Sequence, residues 1–345
     1  MKRRMVALSL IFLLLLSACG STNAEQADTT LYEAVGLSGP SEILLTVDGR
    51  DVPAWRYLYW LAYDCGQLED SYVAAGQELD WESPADGGTT LAEYVRQQAL
   101  SDTVLYATVE NWADQYGIQL SDEEQAVLEK EAAAPSAASA YLDCLPALGL
   151  GQSEARELLA DACLYQRLRA LFSIEGSALA PKAADVTAFA RDSGYLTLDW
   201  IFLSADGQDR EACRQQAAEL FSQLNTSGNP LSLFSSLAEQ YSDDPSRSQY
   251  PQGRTFLAGS GVLPTAVEAA AADLAENQWS GILEAEEGFY LLLRKPLDTA
   301  GVMDAYFDSL LLSAAEAAEV TCGEGYGALE VPRFYTAFQK LVRAA

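Results

Sequence analysis

The chain has 345 residues, with 50 acidic and 21 basic side chains, a formal charge of −29 and no histidine. An acidic surface of this size repels nucleic acid and anionic headgroups, which excludes both as partners. The missing histidine excludes Ser-His-Asp and Cys-His nucleophile systems and H-E-x-x-H metal sites. At 49% hydrophobic residues, the length allows two domains with their own cores.

Lys2, Arg3 and Arg4 precede an apolar run, Val6–Leu16, followed by Leu16-Ser-Ala-Cys19-Gly20. A charged start, a short apolar core and small residues form a secretory signal over 1–18, too short for an ordinary membrane span. The cysteine after Leu-Ser-Ala resembles the bacterial lipobox, in which Cys19 is diacylated and begins the mature chain. The other reading is an uncleaved anchor helix with an incidental cysteine. Two acyl chains give stable attachment, since each buried methylene contributes ~0.8 kcal/mol. The resemblance implies an extracytoplasmic protein held to the lipid bilayer of a bacterium, of Gram-positive type and on its outer face, by a tether over 19–40. Loss of residues 1–18 removes three basic and no acidic groups and moves the charge from −29 to −32.

The later cysteines are Cys65, Cys144, Cys163, Cys213 and Cys322. Their number is odd and none forms C-x-x-C, so redox and zinc motifs are absent. Cys65, Cys144 and Cys163 sit among apolar neighbours and read as buried small hydrophobes rather than as disulfides. No cofactor or metal is implied. Calcium and basic unfolded clients stay open as attractions for the acidic surface.

Residues 42–52 predict a strand, an Asp48-Gly49 turn and a returning strand. An aromatic-rich helix follows over Trp55–Leu68, then a loop over Trp81–Thr90. A long helix spans Leu91–Tyr116, with Tyr94, Val95, Leu100, Val104, Leu105, Val109 and Trp112 at three- and four-residue steps. Ser121-Asp-Glu-Glu124 is a capping box. Leu145–Leu150 is a break, and Ser153–Leu171 is another amphipathic helix. The segment from Leu198 opens with an apolar strand to Leu203, continues through Phe234–Asp244 and closes on Gly288–Arg294. Helix is predicted again over Met303–Glu319, an extended piece over Val320–Val331 and a final helix over Phe334–Val342.

The order Leu198–Leu203, Tyr241-Ser-Asp-Asp244 and Gly288-Phe-Tyr-Leu-Leu-Leu-Arg294 resembles the parvulin (PpiC-type) peptidyl-prolyl isomerases. That family usually carries a histidine on its opening strand and another on its closing strand, and here Trp200 and Tyr290 hold those places. Rotation about an X-Pro bond has a barrier of about 18–20 kcal/mol and needs no covalent nucleophile. A catalyst holds the proline in an apolar pocket and favours the twisted amide over the planar one. The resemblance places the family's Cys-or-Asp position on Asp244. The alternative for Asp244 is the cap of a Ser-Asp-Asp-Pro turn. Trp200 can only donate a hydrogen bond, whereas Tyr290 can donate and accept, and can reach towards Asp244. The pattern's pocket falls on Leu263 and Val267, with Phe256 as a further wall; the same three residues also read as ordinary core.

The whole order from residue 42 to 340 resembles extracytoplasmic foldases of the PrsA type and chaperones of the SurA type. That resemblance implies an α+β chain. A helical domain built from 41–193 and a C-terminal return, 298–345, would carry an inserted parvulin-like domain, 194–297, whose antiparallel sheet is flanked by helices. The function implied is a membrane-anchored folding factor whose partners are unfolded or partly folded exported proteins. Its isomerase activity would be weak or lost with both histidines gone. A holdase on the same scaffold is the second reading. A third, a solute-binding lipoprotein, would need alternating strand–helix units in two lobes. Trp55, Tyr59, Trp60, Tyr94 and Trp112 are candidates for an apolar client cradle or for the core of the helical domain.

Overall fold

The computed structural model describes residues 28–85, 87–207 and 209–344. Cys19, the signal segment and most of the tether lie outside the described residues. The chain divides into two units, one made of Met1–Ala170 with Leu310–Ala345 and the other of Leu171–Ser309.

The first unit opens with α1 (Asp28–Ala34) and a hairpin of β1 (Ile43–Val47) and β2 (Arg50–Pro53). Asp48 and Gly49 both take positive φ, 50° and 81°, the twist that a two-residue hairpin turn requires. Then come α2 (Ala54–Ala74), α3 (Leu91–Gln115), α4 (Asp122–Ala133) and α5 (Gln152–Phe172). Thr90 caps α3 by accepting from the Glu93 amide at 3.2 Å. Ser121 and Glu124 form the expected capping box on α4. α2 runs past Leu68 to Ala74, and its added turn is anchored by Glu69. That carboxylate accepts from Tyr335 Oη at 2.6 Å and Gln339 Nε2 at 2.9 Å.

The second unit contains α6 (Ala183–Ser193), β3 (Tyr195–Ser204), α7 (Arg210–Thr226), α8 (Pro230–Tyr241), β4 (Arg254–Leu257) and α9 (Thr265–Ala272). It continues through β5 (Leu283–Glu284), β6 (Gly288–Lys295) and the start of α10 (Met303–Ala317). Its sheet is antiparallel, in the order β4-β3-β6-β5. The two central strands are buried on both faces, so they read as continuous apolar runs rather than as a clean alternation. Ile201, Leu203, Phe289, Leu291 and Leu293 pack beneath α7 and α8, against Leu220, Phe234 and Leu237. Leu196, Leu198, Trp200, Tyr290 and Leu292 face the other way, against Phe256, Leu263 and Val267. Near the unit's chain ends, Phe172 meets Phe307 edge-on at 5.4 Å and Phe189 lies 4.8 Å from Tyr306.

The first unit is completed by β7 (Val320–Cys322), α11 (Glu324–Ala328) and α12 (Val331–Val342). β7 pairs with β1, giving the order β2-β1-β7. The piece expected to be extended therefore holds a third strand and a short helix. Arg96 fixes that helix by donating to the Tyr326 carbonyl at 2.8 Å while lying 4.5 Å above the Tyr326 ring. α12 buries Val331, Phe334, Tyr335 and Phe338, one helical stripe, in a core with Tyr57, Leu58 and Leu61. The described cysteines are free, Cys65 and Cys213 buried, Cys144 and Cys163 half-buried, and Cys322 exposed. Mixed helix and antiparallel sheet is the expected α+β class, and neither sheet has the parallel strand–helix alternation of a two-lobed solute binder.

Candidate functional site

β3 and β6 pair in a register that sets Phe202 opposite Tyr290 and Trp200 opposite Leu292. Trp200 and Tyr290 are thus diagonal neighbours on one sheet face, as two residues on adjacent strands must be to act on one group. The Phe202 and Tyr290 rings stack at 4.7 Å, and Trp200 meets Phe256 edge-on at 6.4 Å. Phe256 from β4, Leu263 from the following loop and Val267 from α9 close over the same face. Trp200, Tyr290, Phe256, Leu263 and Val267 are each between 1 and 7% exposed. Five of the six positions singled out in this domain are therefore brought together, but as a filled apolar core.

Asp244 lies on the turn after α8. That turn is docked on β3 where β4 leaves off. The Asp243 amide donates to the Phe202 carbonyl at 2.7 Å, the Phe202 amide to Ser242 Oγ at 3.0 Å, and the Ser204 amide to Asp243 Oδ2 at 2.9 Å. Asp244 itself is half-buried and caps the short turn Pro245–Ser248, accepting from the Ser246 amide at 3.1 Å and from Ser246 Oγ at 2.8 Å. Tyr290 donates not to Asp244 but to Glu287 Oε1, at 2.9 Å. Burial raises the Tyr290 phenol pKa first, Glu287 adds to this, and the Asp244 charge contributes last. The phenol is held protonated.

Two contributors were not visible in the sequence reading. One is Glu287, at the Glu286-Glu287-Gly288 turn before β6, whose only sequence signal is a carboxylate three residues before Tyr290. The other is Asp199, a fully buried carboxylate in the middle of β3, paired with Arg247 of the turn that carries Asp244. Arg247 also donates to the Pro251 carbonyl at 3.1 Å. Burial raises the Asp199 pKa and Arg247 opposes it. A charged residue inside an apolar strand was the available signal for this pair. Glu268 of α9 plays a related positioning part, accepting from the Gly259 amide at 2.6 Å and the Leu263 amide at 2.9 Å.

A cavity of about 550 Å³ opens beside Glu287, lined by Ala205, Asp206, Glu286 and Glu287. Its lining is acidic, the opposite of what a proline ring requires. No group of three or more His, Cys, Asp or Glu side chains able to hold a metal ion occurs among the described residues. What the geometry offers is a packed sheet face on which Tyr290 is engaged by Glu287, with Asp244 on the adjoining turn engaged by Ser246.

Residues 200–295 match the sequence family described as the PPIC-type PPIASE (rotamase) domain. No curated protein matches the chain by sequence. Among solved structures, the chain is similar to PrsA from Bacillus subtilis, at 17% identity over 76% of this chain and 91% of that one, with a TM-score of 0.25. It is similar to the foldase protein PrsA from Streptococcus pneumoniae, at 15% identity over 77% and 93%, with a TM-score of 0.27. A structure described as one of two SurA-like chaperones from Campylobacter jejuni shares 12% identity over 87% and 96%, with a TM-score of 0.25. Likenesses at these scores say nothing further about this chain.

Proposed function

We propose that this chain, whose residues 200–295 belong to the PpiC-type peptidyl-prolyl isomerase domain family, is an extracytoplasmic protein-folding factor. In this reading it binds unfolded or partly folded exported polypeptides and is tethered to the membrane through acylated Cys19. The divisions proposed are a helical chaperone-like part over 41–193 with its C-terminal return over 298–345, and an isomerase-like part over 194–297; the compact unit that holds the latter is wider, Leu171–Ser309. Among the described residues no helix is long and apolar enough to cross a membrane.

The observation that carries the reading is the state of the isomerase face. The two histidine positions are Trp200 and Tyr290, and both are packed into one core with Phe256, Leu263 and Val267. Asp244 is turned to Ser246 and Tyr290 to Glu287. A proline pocket must be open to a ring and must aim unsatisfied polar groups at the amide. The packed face supports the form of this proposal in which the domain contributes little or no isomerisation, a holdase on the same scaffold. Roles for Trp200, Asp244 and Tyr290 in any residual rate, and for Leu263, Val267 and Phe256 as its pocket, belong to the weaker, catalytic form of the same proposal.

Two assays on the soluble chain from Ser21 test it. Suppression of aggregation of a chemically unfolded protein at equimolar concentration is expected. In exchange NMR on peptides that vary the residue before proline, little or no enhancement is expected, because no open pocket favours the twisted amide. A folded sample that leaves aggregation unchanged would overturn the folding-factor reading. A large enhancement abolished by Asp244→Ala would restore a working isomerase.

A further inference from the structure

Within the first unit, α1 packs against α12. Leu31 and Tyr32 of α1, with Val35 and Leu37 just beyond, enter the core that Phe334 and Phe338 line from α12. Part of the stretch expected to be tether, 19–40, is therefore folded structure. Nine residue steps separate Cys19 from Asp28, where α1 begins. An extended chain spans at most ~3.3–3.6 Å per residue, so α1 starts within about 30 Å of that cysteine. If Cys19 carries the acyl chains, α12 is held near the bilayer along with α1.

The face that α12 turns away from this core is basic. Val331, Phe334, Tyr335 and Phe338 are its buried stripe. At about 3.6 residues per turn, Arg333 and Lys340 lie opposite that stripe, and Arg343 follows at the helix end. All three are exposed, and among the described residues none has an ion-pair partner. α12 itself carries no acidic residue. In a chain with 50 acidic side chains, a row of cations with nothing to neutralise it calls for a reason. Lys340 and Arg343 have one, because the carboxyl end of a helix favours cations. Arg333 stands in the first turn, at the end that disfavours them. The helix dipole therefore accounts for the last turn and not for the row. Glu33 on α1 and Glu330 just before α12 are exposed carboxylates on these elements, two against three cations.

We propose that the outward face of α12, through Arg333, Lys340 and Arg343, rests on the anionic headgroups of the bilayer that holds the acyl anchor. This depends on the anchoring part of the folding-factor reading, and adds how the first unit is set down on the membrane. The charge of the whole chain, −29, opposes such contact at long range. At physiological salt, charges more than about 8 Å apart are largely screened, so the sign of the touching face decides. Three basic side chains alone hold a free protein to a membrane only weakly. The short tether changes this, because it makes the second contact intramolecular. An acidic polypeptide would offer the same charge, but nothing keeps it beside α12.

The test uses the whole chain with its acyl groups, reconstituted into vesicles of phosphatidylcholine alone or with about one-third phosphatidylglycerol. Lysines are acylated with a water-soluble reagent and followed by mass spectrometry. Beyond residue 18 the chain has Lys130, Lys182, Lys295 and Lys340. Lys130, exposed on α4, is the reference within the same unit. Labelling of Lys340 relative to Lys130 is expected to fall about threefold or more in the anionic vesicles, and to recover at ~1 M salt. Arg333→Gln combined with Arg343→Gln should also restore it, with Lys130 unchanged as the sign of an intact fold. Equal Lys340 labelling in the two kinds of vesicle, or a fall that the double change leaves in place, would overturn the docking while the anchor stands. Slow Lys340 labelling in detergent without vesicles would overturn it too, and would give the face to a second copy of the chain. A chain that floats with neither kind of vesicle, as Cys19→Ser is expected to behave, would remove the anchor and the docking with it.

Discussion

Tyr290 gives its phenolic hydrogen to Glu287, 2.9 Å away, and not to Asp244. Asp244 meanwhile takes two hydrogen bonds from Ser246. The two polar groups that the parvulin pattern would aim at a substrate amide are thus each occupied by a residue within three positions of itself. Tyr290→Phe and Asp244→Ala are therefore expected to leave the prolyl isomerisation rate where it is. Tyr290→Phe should instead cost about 1 kcal/mol in urea unfolding, the worth of one hydrogen bond, with Glu287 left to solvent. A clear fall in rate with either change would show that the pair rearranges around a substrate.

Gly253 is the turn residue that lets β4 begin against β3. Its φ is +92°, and a Cβ there would stand 2.8 Å from the Leu198 carbonyl oxygen and 3.3 Å from Asp199 Cβ. Both a disfavoured backbone region and a backbone clash oppose any side chain. Gly253→Ala is expected to destabilise the second unit by about 2–4 kcal/mol. Hydrogen exchange would show it as lost protection of the β3 and β4 amides. Unchanged protection would mean that the turn reshapes freely.

Local signals were legible in the sequence where the chemistry is local. Asp48-Gly49 and Ser121 with Glu124 each specify a turn or cap through neighbouring atoms, and each occurs as read. The order of strands from Leu198 to Arg294 was legible because two apolar runs and a Ser-Asp-Asp turn are a pattern of types. Long-range pairings were not. Nothing near Asp199 tells that its partner is Arg247, 48 residues on, nor that β7 joins β1 across most of the chain. α2 runs past the end expected at Leu68 because Glu69, the next residue, is held by Tyr335 and Gln339, partners that lie far along the chain. For the site, residue types named the positions, but only packing could show that Leu263, Val267 and Phe256 enclose Trp200 and Tyr290 rather than an empty pocket.

The Asp64 carboxyl, pushed up from 3.8 to about 8 by burial and then by Asp102, makes a specific pH prediction. Its folded value lies above its unfolded value, so the fold binds the extra proton. The stability this supplies is fully present below about pH 4 and is lost as pH rises towards 8. Asp64→Asn mimics the protonated form and should match the unaltered protein near pH 4. By pH 8.5 it should exceed it by on the order of 1–3 kcal/mol, discounted for the part of the side chain that reaches solvent. Urea unfolding at four pH values checks this. A difference independent of pH would show that Asp64 titrates like an ordinary carboxylate.

Among the described residues of the first unit, Arg56 and Asp161 form the most deeply buried ion pair, 6% and 2% exposed, and join α2 to α5. Glu110 of α3 shares Arg56 at 2.8 Å and also contacts Arg50 at 3.5 Å, so three helices and the hairpin meet through one set of charges. Breaking such a pair from either side should not be symmetric. Asp161→Leu leaves a guanidinium that cannot lose its proton at any accessible pH, with only Glu110 to compensate, and should cost about 3–5 kcal/mol. Arg56→Met leaves a carboxyl that burial already pushes upward against the pull of Arg56. It can escape by taking a proton. Its loss should therefore be smaller, and it should shrink as pH is lowered from 8 to 5, because the raised folded pKa makes the protonated fold the favoured one at low pH. The double change Arg56→Met with Asp161→Leu should be less destabilising than the two single losses added together, by about 0.5–3 kcal/mol. Additive losses, or an Arg56→Met variant whose deficit is flat with pH, would show that the two side chains are independent.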